Sequence, residues 1–270
     1  MPHELAFSGG AWLLLAPEAH AARAAQQLRR WEEENAGERR DPPLRRRASG
    51  WDAAFTWSLV LAAAWLAQSG AAFGLPWEPA GLLDAQRVAA GEWWLAATAL
   101  TLHADPAHLW SNVGFGALLV GLLAFLLGTG AALLATLLAG TAGNLVAALL
   151  RQQGASLGAS TAAFATLGLL AALSWRRRSP LLSGRLRRWS PLVAASLLLA
   201  YLGTEGARVD VLGHAMGFLA GVAGGAALGA SGALRDGSAL GRALDRPTAQ
   251  WACAAVALVV LTGAWWLALR

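Results

Sequence analysis

Long runs without a single charged side chain dominate this sequence and restrict what it can fold into. Six such runs lie at residues 53–75, 109–150, 157–175, 189–204, 211–234 and 247–269. A helix needs about 20 mostly apolar residues to cross the hydrocarbon core of a bilayer. Because the second run is long enough for two crossings, the pattern predicts about seven spans and an integral membrane protein.

The distribution of arginine predicts how these spans are oriented. All 21 basic residues are Arg, and 17 of them fall within residues 1–50, 176–188 and 231–248. These three segments share one side of the membrane if there are seven spans. Basic residues concentrate on the cytoplasmic side, so we expect a cytoplasmic N-terminus. The high pI is therefore attributed to topology, and no nucleic-acid partner is expected. The use of Arg in place of Lys and the high Ala and Gly content look like a GC-rich bacterial coding sequence, so the expected location is a bacterial inner membrane.

Three segments are predicted along the chain. Residues 1–50 are expected to form a small cytosolic α/β extension, with a strand at Ala11–Leu15, an amphipathic helix at Glu18–Asn35 and a linker beginning at residues 39–43. Residues 51–230 contain six spans, and residues 231–270 contain a linker and a seventh span. The predicted spans are 53–72, 107–127, 131–150, 157–175, 189–204, 210–230 and 249–269. The predicted fold class is an all-α polytopic transmembrane helical bundle.

Polar residues enter three of these spans from the same predicted outer side. His108 and Asn112 are four residues apart near the start of the second span, Ser160 lies near the start of the fourth, and His214 near the start of the sixth. Taken singly, a Ser in a membrane helix usually bonds its own backbone, and a His at a span end is usually an interfacial residue. Polar groups at membrane depth are costly, so their convergence predicts a functional site near the outer surface.

These residues together resemble the rhomboid family of intramembrane serine proteases. The resemblance covers roughly residues 51–230 and is carried by three motifs in the order of the family. The motifs are the His-x4-His-x3-Asn array (His103, His108, Asn112), the Gly-x-Ser element (Gly158, Ser160) and the His-x2-Gly-x3-Gly element (His214, Gly217, Gly221). The resemblance implies a six-span protease core, to which this chain adds a C-terminal seventh span.

The resemblance also implies a role for each matched residue. Ser160 is expected to attack the peptide carbonyl and His214 to remove its proton. The side chains of His108 and Asn112, with the backbone N–H of Ser160, are expected to form the oxyanion hole. Supporting roles fall to His103 as a loop anchor, to Phe164 as a ring packed on the imidazole, and to Gly158, Gly217 and Gly221. Thr161 stands where the family most often has Gly.

The expected activity is hydrolysis of peptide bonds near the outer ends of membrane-spanning helices of other proteins, without a metal or another cofactor. The expected partners are therefore such substrate helices and the lipid bilayer itself. Asp210, four residues before His214, could orient the imidazole, but capping of its own helix is the preferred interpretation. Two alternatives remain at this point: a catalytically inactive rhomboid relative that binds membrane clients, and a transporter or channel. The second is disfavoured because no Asp, Glu or Arg lies deep in a span.

Overall fold

The computed structural model describes residues 4–8, 11–35, 47–151, 153–176, 184–202, 210–234 and 237–270. Twelve α-helices lie in this part of the chain: α1 Glu18–Asn35, α2 Trp51–Ser69, α3 Trp77–Gly81, α4 Ala85–Ala89, α5 Leu95–Thr98, α6 Pro106–Leu127, α7 Thr129–Arg151, α8 Ser160–Arg176, α9 Gly184–Leu202, α10 Val211–Ala230, α11 Ala239–Leu244 and α12 Pro247–Ala268. The strands are β1 Glu4–Ser8, β2 Ala11–Leu15, β3 Leu83–Asp84 and β4 Ala155–Ser156, and single 3₁₀ turns occupy Ala72–Gly74 and Ala99–Thr101. The predicted linker at 39–43 and the end of the predicted fifth span at 203–204 lie outside the described residues.

The chain divides into two compact units, residues 1–42 and 43–270. In the first unit, β1 and β2 form an antiparallel hairpin in which Glu4 lies opposite Leu15 and Ser8 opposite Ala11. The predicted strand and the predicted helix of this segment are both confirmed, at β2 and α1. The strand β1 was not predicted from the sequence. The predicted division of the chain at residues 50 and 230 stays a prediction.

The second unit is a bundle of seven long helices, α2, α6, α7, α8, α9, α10 and α12, each at a predicted span. Four of the described helices, α6, α7, α10 and α12, are long and apolar enough to cross a membrane by themselves. The apolar parts of α8 and α9 are shorter, at Ser160–Trp175 and Trp189–Tyr201. Along an apolar helix the backbone N–H and C=O groups pair with one another, as the lipid interior requires. The all-α polytopic bundle predicted from the sequence is thus confirmed.

The helix starts follow local sequence signals. Asp105 precedes α6 and accepts a hydrogen bond from the backbone N–H of His108 at 2.8 Å, and Pro106 occupies the first helical position. Asp210 caps α10 in the same way through the N–H of Gly213 at 2.8 Å. A side-chain cap satisfies one of the N–H groups that a helix leaves open at its start, and Pro is preorganised there. These two caps fix where the helices carrying His108 and His214 begin.

Small residues let α8 lie at the centre of the bundle, closest to α10 and also against α7, α6 and α9. A methyl group on Gly143 of α7 would come within 2.5 Å of the Gly217 Cα on α10. A methyl group on Gly221 would overlap with the Ala165 carbonyl of α8. Glycine at such positions allows two helix backbones to approach closely. The small-residue pattern of α10 is therefore a packing device that brings α8 and α10 together.

We predict that Gly221→Ala destabilises the bundle, whereas Gly224→Ala does not. A methyl group at 221 meets backbone that cannot move aside, while at 224 it meets only the Leu169 Cδ2 atom at 3.4 Å, an ordinary contact. Overpacking of this kind costs roughly 1–3 kcal/mol. Thermal unfolding in detergent measures the difference between the two variants. Equal melting temperatures for both would contradict the close approach of α8 and α10.

The seventh long helix, α12, is held to the bundle at its start by Gln250. The side-chain amide of Gln250 donates to the carbonyls of Leu127 and Leu244, each at 2.8 Å, and its oxygen accepts from the N–H of Ala131 at 3.0 Å. The Leu127 carbonyl and the Ala131 N–H flank the turn between α6 and α7, where helix ends leave backbone groups unsatisfied. One side chain thus fastens α12 to that turn.

Candidate active site

Ser160 and His214 form a hydrogen-bonded pair between α8 and α10. The distance between the Ser160 Oγ and the His214 Nε2 is 2.8 Å, although the two residues are 54 positions apart in the chain. His214 is buried, and Ser160 is partly buried as the first residue of α8. A hydroxyl at this distance from an imidazole nitrogen can transfer its proton to it. The pair has the geometry of a nucleophile and its general base.

The start of α8 adds backbone donors beside this hydroxyl. The first N–H groups of an α-helix have no acceptor within the helix, and the N-terminal end carries the positive end of the helix dipole. The first backbone bond of this helix runs from the Ala163 N–H to the Ala159 carbonyl at 3.0 Å. The Ser160 N–H therefore belongs to a first turn that can stabilise negative charge.

Gly158 brings His108 and Asn112 of α6 close to the nucleophile. Its φ of +129° is a conformation that L side chains rarely adopt, and its N–H donates to the Ala99 carbonyl at 2.9 Å. A methyl group on Gly158 would lie 2.8 Å from the His108 Nε2 and 3.8 Å from the Asn112 Nδ2. The positive φ and the nearby His108 ring therefore both favour glycine at 158, whereas the Asn112 amide would be at an ordinary contact distance. Two of the predicted polar side chains, His108 and Asn112 of α6, thus lie beside Gly158, two residues before Ser160.

Two hydrogen bonds hold Asn112, one made by its side chain and one by its backbone. Its side-chain amide donates to the His108 carbonyl at 3.1 Å, and its backbone carbonyl accepts from the Trp57 Nε1 at 3.1 Å. Trp57 is buried and comes from α2. The first of these bonds uses one N–H of the amide, which has two to donate. The second pins α6 to α2 at the level of the site.

His103 lies three residues before the first residue of α6. Hydrogen bonds to its backbone hold it in place. Gln68 of α2 donates to the His103 carbonyl at 2.8 Å and accepts from the His103 N–H at 3.1 Å. The His103 ring is fully buried and packs edge-on against the His108 ring, with 5.2 Å between centroids. Burial, with a smaller contribution from His108, lowers the pKa of His103 to about 4. His103 is therefore neutral at neutral pH, and its position is that of an anchor beside His108.

Phe164 lies one helical turn after Ser160 and faces the imidazole. The ring centroids of Phe164 and His214 are 4.6 Å apart, and the two planes are inclined by 40°. Phe164 also packs against Phe115 of α6 at 5.6 Å. Tilted ring pairs at these distances are favourable. Phe164 therefore packs on the same imidazole whose Nε2 contacts Ser160.

Thr161, which stands where the family most often has Gly, fits into space left by Gly217. A methyl group on Gly217 would come within 2.9 Å of the Thr161 Cγ2 and would overlap with the Thr161 carbonyl. Thr161 itself is buried. A β-branched residue is stiff at χ1, so it needs a preformed space. The glycine of α10 supplies that space directly beside the nucleophile.

Asp210 acts as a helix cap rather than as a partner of the imidazole. Besides capping α10, its carboxylate pairs with Arg151 at the end of α7. The preferred interpretation of Asp210 as a cap is thus confirmed. Its partner Arg151 was not predicted from the sequence, nor were the contacts of Trp57, Gln68 and the Ala99 carbonyl. Gln68 carried a signal, because it is a polar residue at the end of an apolar run, whereas a backbone carbonyl carries none.

Among the described residues, no group of three or more His, Cys, Asp or Glu side chains is placed to hold a metal ion. Cys253 on α12 is a free thiol.

The helices of the bundle define the class of this protein, and its similarity to known proteins defines the family. The apolar helices of the bundle make it an integral, multi-pass membrane protein. A sequence model of the Rhomboid domain matches residues 90–231, just over half of the chain, and this range includes all the candidate site residues. The chain belongs to the rhomboid family. It is also similar to Rhomboid-like protease 3 of Toxoplasma gondii, with 37% identity over 134 residues, which are 48% of this chain and 49% of the relative. The chain thus spans about half the length of this curated relative.

Proposed function

We propose that this protein is an intramembrane serine endopeptidase that works through a dyad of Ser160 and His214. The observation that carries the proposal is the 2.8 Å contact between the Ser160 Oγ and the His214 Nε2 at the start of two apolar helices. Membership of a family that includes proteases supports the same reaction class. In this mechanism a serine hydroxyl is activated by a neighbouring imidazole.

The reaction proceeds in two halves. His214 takes the Ser160 proton while the Oγ attacks the scissile carbonyl, which gives a tetrahedral intermediate with a negatively charged oxygen. The imidazolium then gives its proton to the leaving amine, the C–N bond breaks and an acyl-enzyme remains. A water molecule, deprotonated by His214, attacks the ester and releases the carboxylic acid product and the Ser160 hydroxyl.

The surroundings of His214 support a dyad without a carboxylate beside the imidazole. A carboxylate beside the imidazole would place a permanent charge at membrane depth, which is costly. The nearest acidic residue in sequence, Asp210, is engaged by the Gly213 N–H and Arg151 instead. Phe164 packs against the imidazole and can orient it without charge. A neutral His can therefore serve as base and acid in an apolar setting.

His108, Asn112 and the Ser160 N–H are the proposed donors to the oxyanion. The two side chains of α6 converge on Gly158, two residues before the nucleophile. Preorganised donors of this kind stabilise the charge that develops in the transition state. Asn112 has a second N–H available to the oxyanion, since one N–H is given to the His108 carbonyl.

The proposed substrates are the spanning helices of other membrane proteins, cut near their outer ends. The proposed location is a bacterial inner membrane with the N-terminus of the chain in the cytoplasm, as the arginine distribution indicates. Among the long helices, α9 packs chiefly against α8 and only slightly against α10. A helix with so few neighbours can move aside at low cost, so we propose that substrates enter the bundle past α9.

Cleavage of membrane-embedded reporter helices in liposomes tests this function. A library of candidate helices is incubated with the wild-type chain and with Ser160→Ala, and the products are identified by mass spectrometry. Cleavage by the wild type that is lost in Ser160→Ala is the expected result. If neither protein cleaves any reporter and both bind reporter helices equally, the chain is a client-binding relative and the proposal fails.

A further inference from the structure

The C-terminal helix α12 packs along α7 through one face and leaves its other face exposed. Gln250 fastens its first end, as described above, and the exposed face carries large side chains such as Trp251, Val256, Leu258 and Val259. At the other end Trp265 turns inward and is partly buried. A helix that is otherwise peripheral thus inserts one large aromatic residue into the segment that leads to the candidate active site.

Trp265 makes three contacts with that segment. Its Nε1 donates to the Thr101 Oγ1 at 3.2 Å, and its ring packs edge-on against Trp77 with 4.9 Å between centroids. Its ring also fills the space beside Gly81, where a methyl group would come within 2.8 Å of the Trp265 Cζ3. A buried indole usually satisfies its N–H in this way. The contacts join α12 to both ends of the segment from residue 77 to residue 101.

The turn at Ala99–Thr101 holds the candidate active site from the other side. The Ala99 carbonyl accepts from the N–H of Gly158, at 2.9 Å, two residues before Ser160. His103, two residues after the turn, packs against the His108 ring. The Thr101 hydroxyl, which accepts from Trp265, also donates to the Thr98 carbonyl at 2.8 Å and so is fixed in both roles. The turn therefore lies between α12 and the residues flanking the nucleophile and the oxyanion donors.

We propose that Trp265 is a positioning residue for the catalytic site, acting through Thr101 on the turn that holds Gly158 and His103. This inference rests on the proposed function. The rate of acyl transfer is sensitive to displacements of reacting groups by less than 1 Å. Loss of the Trp265–Thr101 bond lets the turn shift, and with it Gly158 and the His108 ring. The seventh helix, which lies outside the six-helix core, then contributes to the rate of the chemical step.

The test compares Trp265→Phe with Thr101→Val and with the double variant, using reporter cleavage per active site titrated with a fluorophosphonate. Trp265→Phe keeps an aromatic ring against Trp77 but removes the N–H, and Thr101→Val removes the hydroxyl at similar size.

Two matched controls accompany these variants. Trp266→Phe changes the exposed neighbour of Trp265, and Thr101→Ser keeps the hydroxyl. Because each variant removes a hydrogen bond, we expect kcat to fall about fivefold to tenfold with KM changed less than about twofold.

The double variant is expected to be no slower than Thr101→Val, since both changes remove the same bond, and both controls are expected to retain the wild-type kcat. A purely structural role would lower the melting temperature and the number of titratable sites but leave kcat per site unchanged, and this result would overturn the inference. If the wild type cleaves and Ser160→Ala does not, while Trp265→Phe matches the wild type, only this inference fails. If the wild type and Ser160→Ala both fail to cleave, the proposed function fails and the inference falls with it.

Discussion

Replacing His214 by Ala is expected to abolish reporter cleavage as completely as replacing Ser160 by Ala, with the double variant no slower than either. The Ser160 Oγ has the His214 Nε2 as its proton acceptor at 2.8 Å. Nucleophile and base act as one unit, so their effects do not add, and each loss is about 10⁴-fold or more in kcat. Initial rates with a membrane-embedded reporter, measured for both single variants and the double variant, check this expectation.

The control for this experiment is Ser231→Ala at the opposite end of α10. The Ser231 hydroxyl donates to the Leu228 carbonyl of its own helix and lies far along the chain from Ser160. This variant should cleave like the wild type. His214→Ala removes a buried ring that packs against Phe164, so the rates of all variants are normalised to the folded fraction. Losses that multiply in the double variant would show that the two residues contribute independently, against the dyad.

Replacing Asn112 or His108 by Ala is expected to lower kcat by about 10²–10³-fold each, the loss typical of one oxyanion donor. Because the proposed substrate is a spanning helix that would be bound along its length, KM should change much less than kcat. Asn112→Ala keeps the backbone carbonyl that accepts from Trp57, so α6 should remain packed on α2. Steady-state kinetics for each variant, normalised to the folded fraction, separate the two parameters.

Ser111→Ala is the matched control for the oxyanion variants. Ser111 is the exposed neighbour of Asn112, and its hydroxyl donates to the His108 carbonyl at 2.9 Å. It should retain wild-type kcat. A normal kcat in Asn112→Ala would remove this residue from the oxyanion hole. A loss confined to KM would instead assign it to substrate binding.

The seven long helices could be predicted from the sequence because lipid imposes a local rule. Each spanning segment must satisfy its own backbone hydrogen bonds, so a charge-free run of sufficient length is enough to identify a helix. The predicted first and last residues of the helices were less accurate. The fourth span was predicted from residue 157, whereas α8 begins at Ser160, because Gly158 has a positive φ that no helix contains. The hairpin strand β1 was missed, since five residues of mixed polarity carry little signal.

The candidate site was predictable in its polar side chains but not in its supports. Ser160, His214, His108 and Asn112 are polar groups in apolar surroundings, and their order along the chain, with its resemblance to the rhomboid family, predicted them jointly. The contacts that hold these four side chains in place could not be predicted from the sequence. The Ala99 carbonyl, the space beside Gly217 and the Trp57 N–H are defined only by which helices become neighbours.

The sequence by itself thus determined the membrane class, the positions of the long helices in the described part of the bundle and the polar residues near their starts, because these follow from local composition and spacing. Only the tertiary structure decided that Ser160 meets His214 and that Trp265 reaches Thr101, 164 positions away. Such pairs depend on the close packing of helices on glycine, and the register of that packing is set by many side chains acting together.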